Sequence, residues 1–285
     1  MSTTYAVTAA SGKLGRLAVE ALLAKGVPAG DVVAVVRTPA KVADLAARGV
    51  VVRAGDYADR ASLDAAFIGV DRLLFVSGSE PGARIAQHTN VVEAAKTAGV
   101  SRIAYTSILR ADTSTSPLAP DHRATEDLLS RAGVPFTVLR NSWYLENYTE
   151  QLGQYLAAGA VLGSTHGGRV SAAARADYAE AAVAALLAED PAQVYELAGN
   201  SFDFAGLAAT ITEVTGTTVV STDVSTEEHV AALQGFGLDA GTAGFVAALD
   251  TSIAQGQLAT DRTDLVELTG RPATTLAEAV RAAQA

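Results

Sequence analysis

The chain has 285 residues, 49% of them hydrophobic, which is enough to bury a full core, and one large α/β body with an appended lobe is expected. It contains no cysteine, so disulfides, thiolate nucleophiles and cysteine-held zinc or iron–sulfur clusters are excluded and redox chemistry requires a bound cofactor. The formal net charge of −10, with no local Lys/Arg cluster, argues against a nucleic-acid partner.

The four histidines, His88, His122, His166 and His229, are scattered without ligand spacing, so no metal site is expected. No run is long and charge-free enough for a bilayer, and residues 1–19 lack a basic-then-apolar signal pattern; a cytoplasmic protein is the expectation.

The first strand is predicted in YAVTA. The stretch VTAASGKLG, residues 7–15, follows it and opens a helix over 15–25, which is where a glycine pattern becomes a phosphate turn. Gly12 lets the backbone approach a pyrophosphate, Gly15 lets the helix pack against the strand, and the helix N-terminus offers unpaired N–H groups to an anion. Ser11 and Lys13 add a hydroxyl and a cation, and Thr8, Ala10 and Leu14 belong to the same expected set of cofactor contacts. Ala9 stands where the usual pattern has its first glycine; its methyl is tolerated at negative φ and otherwise costs about 1–3 kcal/mol of strain. A strand–turn–helix without a ligand is the plain alternative.

DVVAVVR forms the second strand and ends on Arg37, with Lys41 four residues on. An acidic residue at this position suits the ribose hydroxyls of NAD, whereas a cation accommodates the 2′-phosphate of NADP, so the pair favours NADPH. The third strand, GVVVR, is followed by AGDY, where Asp56 and Tyr57 can flank an adenine. The fourth, DRLLFVS, leads into VSGSE, where Ser77, Gly78 and Ser79 suit close approach of a ligand. A helix is predicted over 84–98. The fifth strand, RIAYTS, ends near Ser107, a candidate nicotinamide contact, and the sixth, FTVLR, runs into Asn141, placed to bond a carboxamide or a quinone oxygen.

Glycines after several helical segments, at Gly26, Gly49, Gly99 and Gly133, suit left-handed C-caps. The repeated β–α unit predicts an α/β fold, a Rossmann-type doubly wound parallel sheet over residues 1–141, with 142–285 a smaller, mostly helical C-terminal lobe sharing the same core. In that lobe we read a long helical stretch from Trp143 to Ala158, a Gly-rich turn at STHGG, an amphipathic helix from about Arg175, a short strand in VYELAG and further helices. In RNSWYLENY, the residues Trp143, Tyr144, Asn147 and Tyr148 are the candidate substrate walls; packing of the lobe on the core is the alternative for the same aromatics.

Together VTAASGKLG, VVRTPAK, AGDY, QHTNVVEAAKTAGV, IAYTSILRAD and LRNSWYLENY resemble the NmrA-like atypical short-chain dehydrogenase/reductases, most closely their type 2 NADPH:quinone oxidoreductases and less closely the triphenylmethane dye reductases. LRNSWYLENY is the most specific of these pieces. The resemblance extends to ARADYAEAA and VYELAGN and implies a Rossmann core, NADPH as reductant and hydride transfer to a small-molecule, quinone-like acceptor without a flavin. It also leaves a homodimer open.

The Tyr-x-x-x-Lys pair of short-chain reductases is missing after the fifth strand, where the nearest similarly spaced residues are His122 and Glu126. A quinone acceptor lessens that need, because the hydroquinone anion delocalises its charge, and positioning then carries the rate. His122 and Tyr144 are the candidates for a proton donor. The alternative reading is a non-catalytic redox sensor that binds NADP(H) and acts through a protein partner, and a reductase or isomerase of another metabolite on the same scaffold is a third.

Overall fold

In the computed structural model, which describes residues 2–80 and 82–284, all six predicted apolar runs are strands. They are β1 (Tyr5–Val7), β2 (Val32–Val36), β3 (Val51–Ala54), β4 (Arg72–Phe75), β5 (Arg102–Ile108) and β6 (Phe136–Asn141). Between them run α1 (Lys13–Ala24), α2 (Ala43–Ala47), α3 (Arg60–Ala66), α4 (Arg84–Thr97) and α5 (Ala119–Ala132). Then come β7 (Trp143–Tyr144), α6 (Glu146–Thr149), α7 (Leu152–Ala158), β8 (Ala160–Gly163), β9 (Val170–Ala173), α8 (Arg175–Leu187), β10 (Val194–Leu197) and β11 (Asn200–Phe202). The chain continues through α9 (Phe204–Thr215), β12 (Val220–Asp223), α10 (Thr226–Gly235), α11 (Ala240–Ala254), α12 (Asp264–Thr269) and α13 (Leu276–Gln284).

Seven strands form one parallel sheet in the order β10-β6-β5-β4-β1-β2-β3. Strand β2, VVAVV, shows why its sequence is apolar at every position. Val32, Ala34 and Val36 pack with Leu22, Val19 and Ala182 from α1 and α8, while Val33 and Val35 pack with Leu63 and Val91 from α3 and α4. Each such valine, buried on its own face, contributes about 1.5–3 kcal/mol relative to exposure. The strand order reverses between β1 and β4, and the crevice outside the carboxyl ends at such a reversal is where open α/β sheets hold ligands.

Beyond residue 142 the chain divides its work. Helix α8 packs on α1, and β10 extends the main sheet beside β6, so both belong to the layers of the main sheet. Helix α8 is less amphipathic than expected: Tyr178, Ala179, Ala181, Ala182, Val183 and Ala185 are all buried, because the helix is wedged between the sheet and its neighbours α1 and α12. The rest builds a third apolar cluster, in which Ile108 and Ala111 from the end of β5 meet Leu145, Tyr148, Phe202, Phe204, Leu207 and Ile253. This cluster draws helical residues from α6, α7, α9, α11 and α13, and strands β7, β8, β9 and β11 also contribute to it.

The expected helix from Trp143 to Ala158 does not form as one element. Trp143 and Tyr144 are extended and pair in parallel with Ala172 and Ala173, and the helical part is split into α6 and α7 around Gln151. The hydrogen bonds and apolar contacts to β9 override the local helical spacing. Among the described residues no helix is long and apolar enough to cross a membrane.

Candidate functional site

The carboxyl end of β1 turns sharply at Ala9, whose φ is +50°. The methyl is therefore in the left-handed region, on the strained side of the expectation stated for it. The turn lets Gly12 N–H donate to the Ala9 carbonyl at 2.8 Å, and it brings that same carbonyl against α1, where a Cβ on Gly15 would overlap it. Helix α1 starts at Gly12 without a side-chain cap and has no acidic residue in its first turn. Its first amides thus stay open toward the crevice, as an anion site requires.

A cavity of about 380 Å³ lies over this helix start and the ends of β1, β2 and β4. Of the predicted cofactor contacts, Ser11, Gly12, Lys13 and Leu14 from the turn, Arg37 and Lys41 after β2, Asp56 and Tyr57 after β3, and Ser77, Gly78 and Ser79 after β4 all line it. Ala9, Glu80 and Gln87 line it as well.

Thr8 lies beneath the cavity: its hydroxyl oxygen accepts from Val76 N–H at 3.0 Å and stands 2.6 Å from the Tyr57 hydroxyl, fixing the ends of β1, β3 and β4 together. Ala10 is buried and donates its N–H to the Val35 carbonyl. Burial pushes the Tyr57 phenol well up, so it serves as an uncharged wall.

Two of the three cations at the cavity are engaged. Arg37 Nη1 meets Glu80 Oε1 at 3.0 Å, and Lys13 Nζ lies 2.7 Å from both Glu150 oxygens, a contact that ties the phosphate turn to α6 and α7. Lys13 and Arg175 hold the Glu150 carboxyl below its ordinary range. Lys41 makes no ion pair among the described residues.

The loop after β4 is held from behind by α4, a support that the sequence reading missed. Gly78 N–H donates to His88 Nε2 at 2.9 Å, Arg84 Nε donates to the Gly78 carbonyl at 2.7 Å, and Gln87 Nε2 donates to Glu80 Oε2 at 2.6 Å. Residues 84, 87 and 88 share one helix face by their i, i+3, i+4 spacing, which is the signal that could have found them. His88 is fully buried, and burial, with the nearby Arg84 charge, lowers its pKa to about 3.

Ser107 and Asn141 stand at the ends of β5 and β6, outside the lining of the cavity. The Ser107 hydroxyl donates to Glu126 at 2.6 Å, and Glu126 in turn receives two bonds from Arg140, which also reaches Glu196 and Asp112. Burial opposes the Arg140 charge, but the bonds to Glu126 and Glu196 raise its pKa overall. Asn141 Oδ1 is buried and has no hydrogen-bond partner among the described residues. Such an orphan acceptor calls for an explanation.

His122 and Glu126 do not form a dyad. His122 Nδ1 pairs with the Tyr105 hydroxyl at 2.8 Å in the interior, and burial, then Arg84 and His88, lower its pKa to about 3. Tyr144 packs edge-on against Tyr178 under the Arg175 guanidinium, and burial pushes its phenol up. Asn147 faces Arg175 at 3.4 Å, and Trp143 borders the third apolar cluster. Tyr148, expected as a pocket wall, is a core residue of that cluster between Phe202 and Phe204, its hydroxyl unpartnered.

Comparison with known proteins agrees with this architecture. A family model described as NAD(P)H-binding matches residues 9–189. Quinone oxidoreductase 2 of Escherichia coli (strain K12) is 45% identical over 277 residues, 96% of either chain. The crystal structure of an NADPH-dependent quinone oxidoreductase from Escherichia coli complexed with NADPH superposes with a TM-score of 0.95 at 43% identity, over 99% of this chain and 100% of that one. Triphenylmethane reductase of Citrobacter sp., complexed with NADP(H), gives 0.93 at 39% identity, over 98% of this chain and 100% of that one.

Proposed function

The chain belongs to the NAD(P)H-binding family, and from that premise we propose that it is an NADPH-dependent reductase of quinones or similarly flat, conjugated small molecules. The observation that carries the reading is the combination, in one cavity, of an uncapped helix start behind a glycine turn and two cations at the end of β2.

These residues fit NADPH. The open amides of α1, with Ser11 and Gly12, would receive the pyrophosphate, and Arg37 and Lys41 would hold the 2′-phosphate. Asp56 and the Tyr57 ring would flank the adenine, and Ser77 to Ser79 would contact the cofactor on the β4 side of the cavity. Ser107 and Asn141 at the next strand ends are the residues that would hold the nicotinamide, and the orphan Asn141 Oδ1 is the acceptor we assign to its carboxamide N–H.

When bound, NADPH supplies a hydride to the acceptor. The chain's part is positioning: Trp143 and Tyr144 on the short strand after Asn141, with Asn147 beside them, form the wall against which a flat acceptor lies. Tyr144 remains a phenol at neutral pH, able to donate a proton to the reduced product. A cytoplasmic site of action goes with this reading.

The test is the fall in nicotinamide absorbance when purified protein is mixed with NADPH or NADH and a small benzoquinone, corrected for the uncatalysed reaction. Saturable consumption with NADPH preferred is expected. Tight NADPH binding without consumption would refute the reductase and leave a cofactor-binding protein.

A further inference from the structure

The two groups that meet at the mouth of the cavity have opposite preferences for the two nicotinamide cofactors. Arg37 is the cation for a 2′-phosphate, yet its Nη1 is engaged by Glu80 Oε1 at 3.0 Å, and both residues line the same cavity. We propose that Glu80 sets the balance between NADPH and NADH, by standing on Arg37 in the place that the 2′-phosphate takes. The inference rests on the reading of the cavity as the NADPH site.

Glu80 is more than a surface charge that happens to lie near Arg37. Its other oxygen, Oε2, accepts from Gln87 Nε2 at 2.6 Å, and Gln87 is only 7% exposed, its amide oxygen packed against Gly78. A buried amide on α4 therefore aims the carboxylate at Arg37, with little rotamer freedom left to it.

A 2′-phosphate carries about −1.5 to −2 charges at neutral pH, and bringing it to Arg37 requires displacing Glu80 or lying beside it. At roughly 5 Å in a solvated site, after salt screening, that repulsion weakens binding about three- to tenfold. NADH has a hydroxyl instead, which can donate to a carboxylate in this position. Glu80 thus opposes NADPH and tolerates NADH, and the preference for NADPH that Arg37 and Lys41 create is smaller than those two cations alone would give.

The experiment is a fluorescence titration of the full chain with each nucleotide, without acceptor, for the wild type, Glu80→Gln and, as a charge control, Glu213→Gln on the exposed side of α9. Glu80→Gln is expected to tighten NADPH about three- to tenfold, leave NADH unchanged or weaker, and lose this advantage in molar salt. Glu213→Gln is expected to leave the ratio of the two dissociation constants as it is. An unchanged or lowered NADPH preference in Glu80→Gln, or an equal shift in Glu213→Gln, would overturn the assignment while leaving the NADPH site intact. Binding of neither nucleotide by the wild type would overturn the site itself, and this inference with it.

Discussion

Gly78 donates its backbone N–H to His88 Nε2 at 2.9 Å, so a fully buried imidazole on α4 holds a glycine that lines the cofactor cavity. This bond fixes the tautomer: Nε2 accepts, and Nδ1 carries the proton toward Thr125 Oγ1 at 2.8 Å. Replacing His88 by Leu leaves the Gly78 N–H and the Thr125 hydroxyl short of a partner. We expect a loss of about 2–4 kcal/mol in stability, read by denaturant titration, and NADPH binding at least tenfold weaker when titrated well below the melting temperature. Unaltered NADPH affinity in a folded His88→Leu variant would show that the Gly78 loop holds its shape without the imidazole.

The same burial makes stability depend on acid. His88 and His122 have folded-state pKa values lowered to about 3 from the ordinary 6.5. Above pH 6.5 both states hold these groups neutral, and the stability is fully present. Between about pH 6.5 and 3 the unfolded chain binds the two protons and the folded one does not, so stability falls as pH falls through this window. The contribution approaches two protons, or about 2.7 kcal/mol per pH unit, near pH 5. Measured by denaturant unfolding at a series of pH values, the slope should drop by about one proton in His122→Asn. An identical slope would mean that His122 is protonated within the fold.

The parts of the molecule that could be read in the sequence are those in which one residue type answers one physical demand. Strands such as VVAVV are apolar throughout because helices cover both faces of the sheet, and the place of Arg37 at the cavity was legible because it directly follows the second apolar run. Backbone angles were not legible: VTAASGKLG shows an alanine at position 9, but not that φ there is +50°. Strand β7 was missed because two residues, Trp143 and Tyr144, are too few to show a period, and their pairing with β9 is contributed by residues some thirty positions away. Arg84, Gln87 and His88 share a helix face whose purpose shows only in the position of the Gly78 loop against it.

Ala9 holds a conformation that glycine adopts freely, with its carbonyl set against Gly15. Ala9→Gly removes about 1–2 kcal/mol of left-handed strain and adds about 0.5–1 kcal/mol of unfolded-state entropy. A net gain of about 0.5–1 kcal/mol is expected in thermal or denaturant unfolding. Gly15→Ala should do the reverse, since its methyl must push the Ala9 carbonyl or the helix aside, and NADPH binding should fall at least tenfold. Equal stability of Ala9→Gly and the wild type would show that the surrounding turn relieves the strain in another way.

Arg140 is the hub of a buried network that reaches Ser107 through Glu126 and the Arg110 backbone through Glu196. Arg140→Met leaves the Glu126 and Glu196 carboxylates without their cation inside the protein, and a loss of about 3–5 kcal/mol is expected. Adding Glu126→Gln to Arg140→Met should recover part of that loss, because one of the stranded charges is gone. Chemical denaturation of the single and double variants measures the coupling, and additive losses would contradict it.

Arg37 tests the cofactor assignment at its most discriminating point. Arg37→Glu removes the cation we assign to the 2′-phosphate and adds a second carboxylate beside Glu80, with Lys41 left as the nearby positive charge. NADH lacks the phosphate, and its ribose hydroxyls can donate to the carboxylates there. We therefore expect NADPH binding to weaken about 30- to 300-fold and NADH binding to change less than threefold, by fluorescence titration at moderate salt. Because Arg37 is about two-thirds exposed, the fold itself should keep its stability within about 0.5 kcal/mol, which separates a binding effect from unfolding. Equal weakening of both nucleotides would mean that the 2′-phosphate is held elsewhere in the cavity.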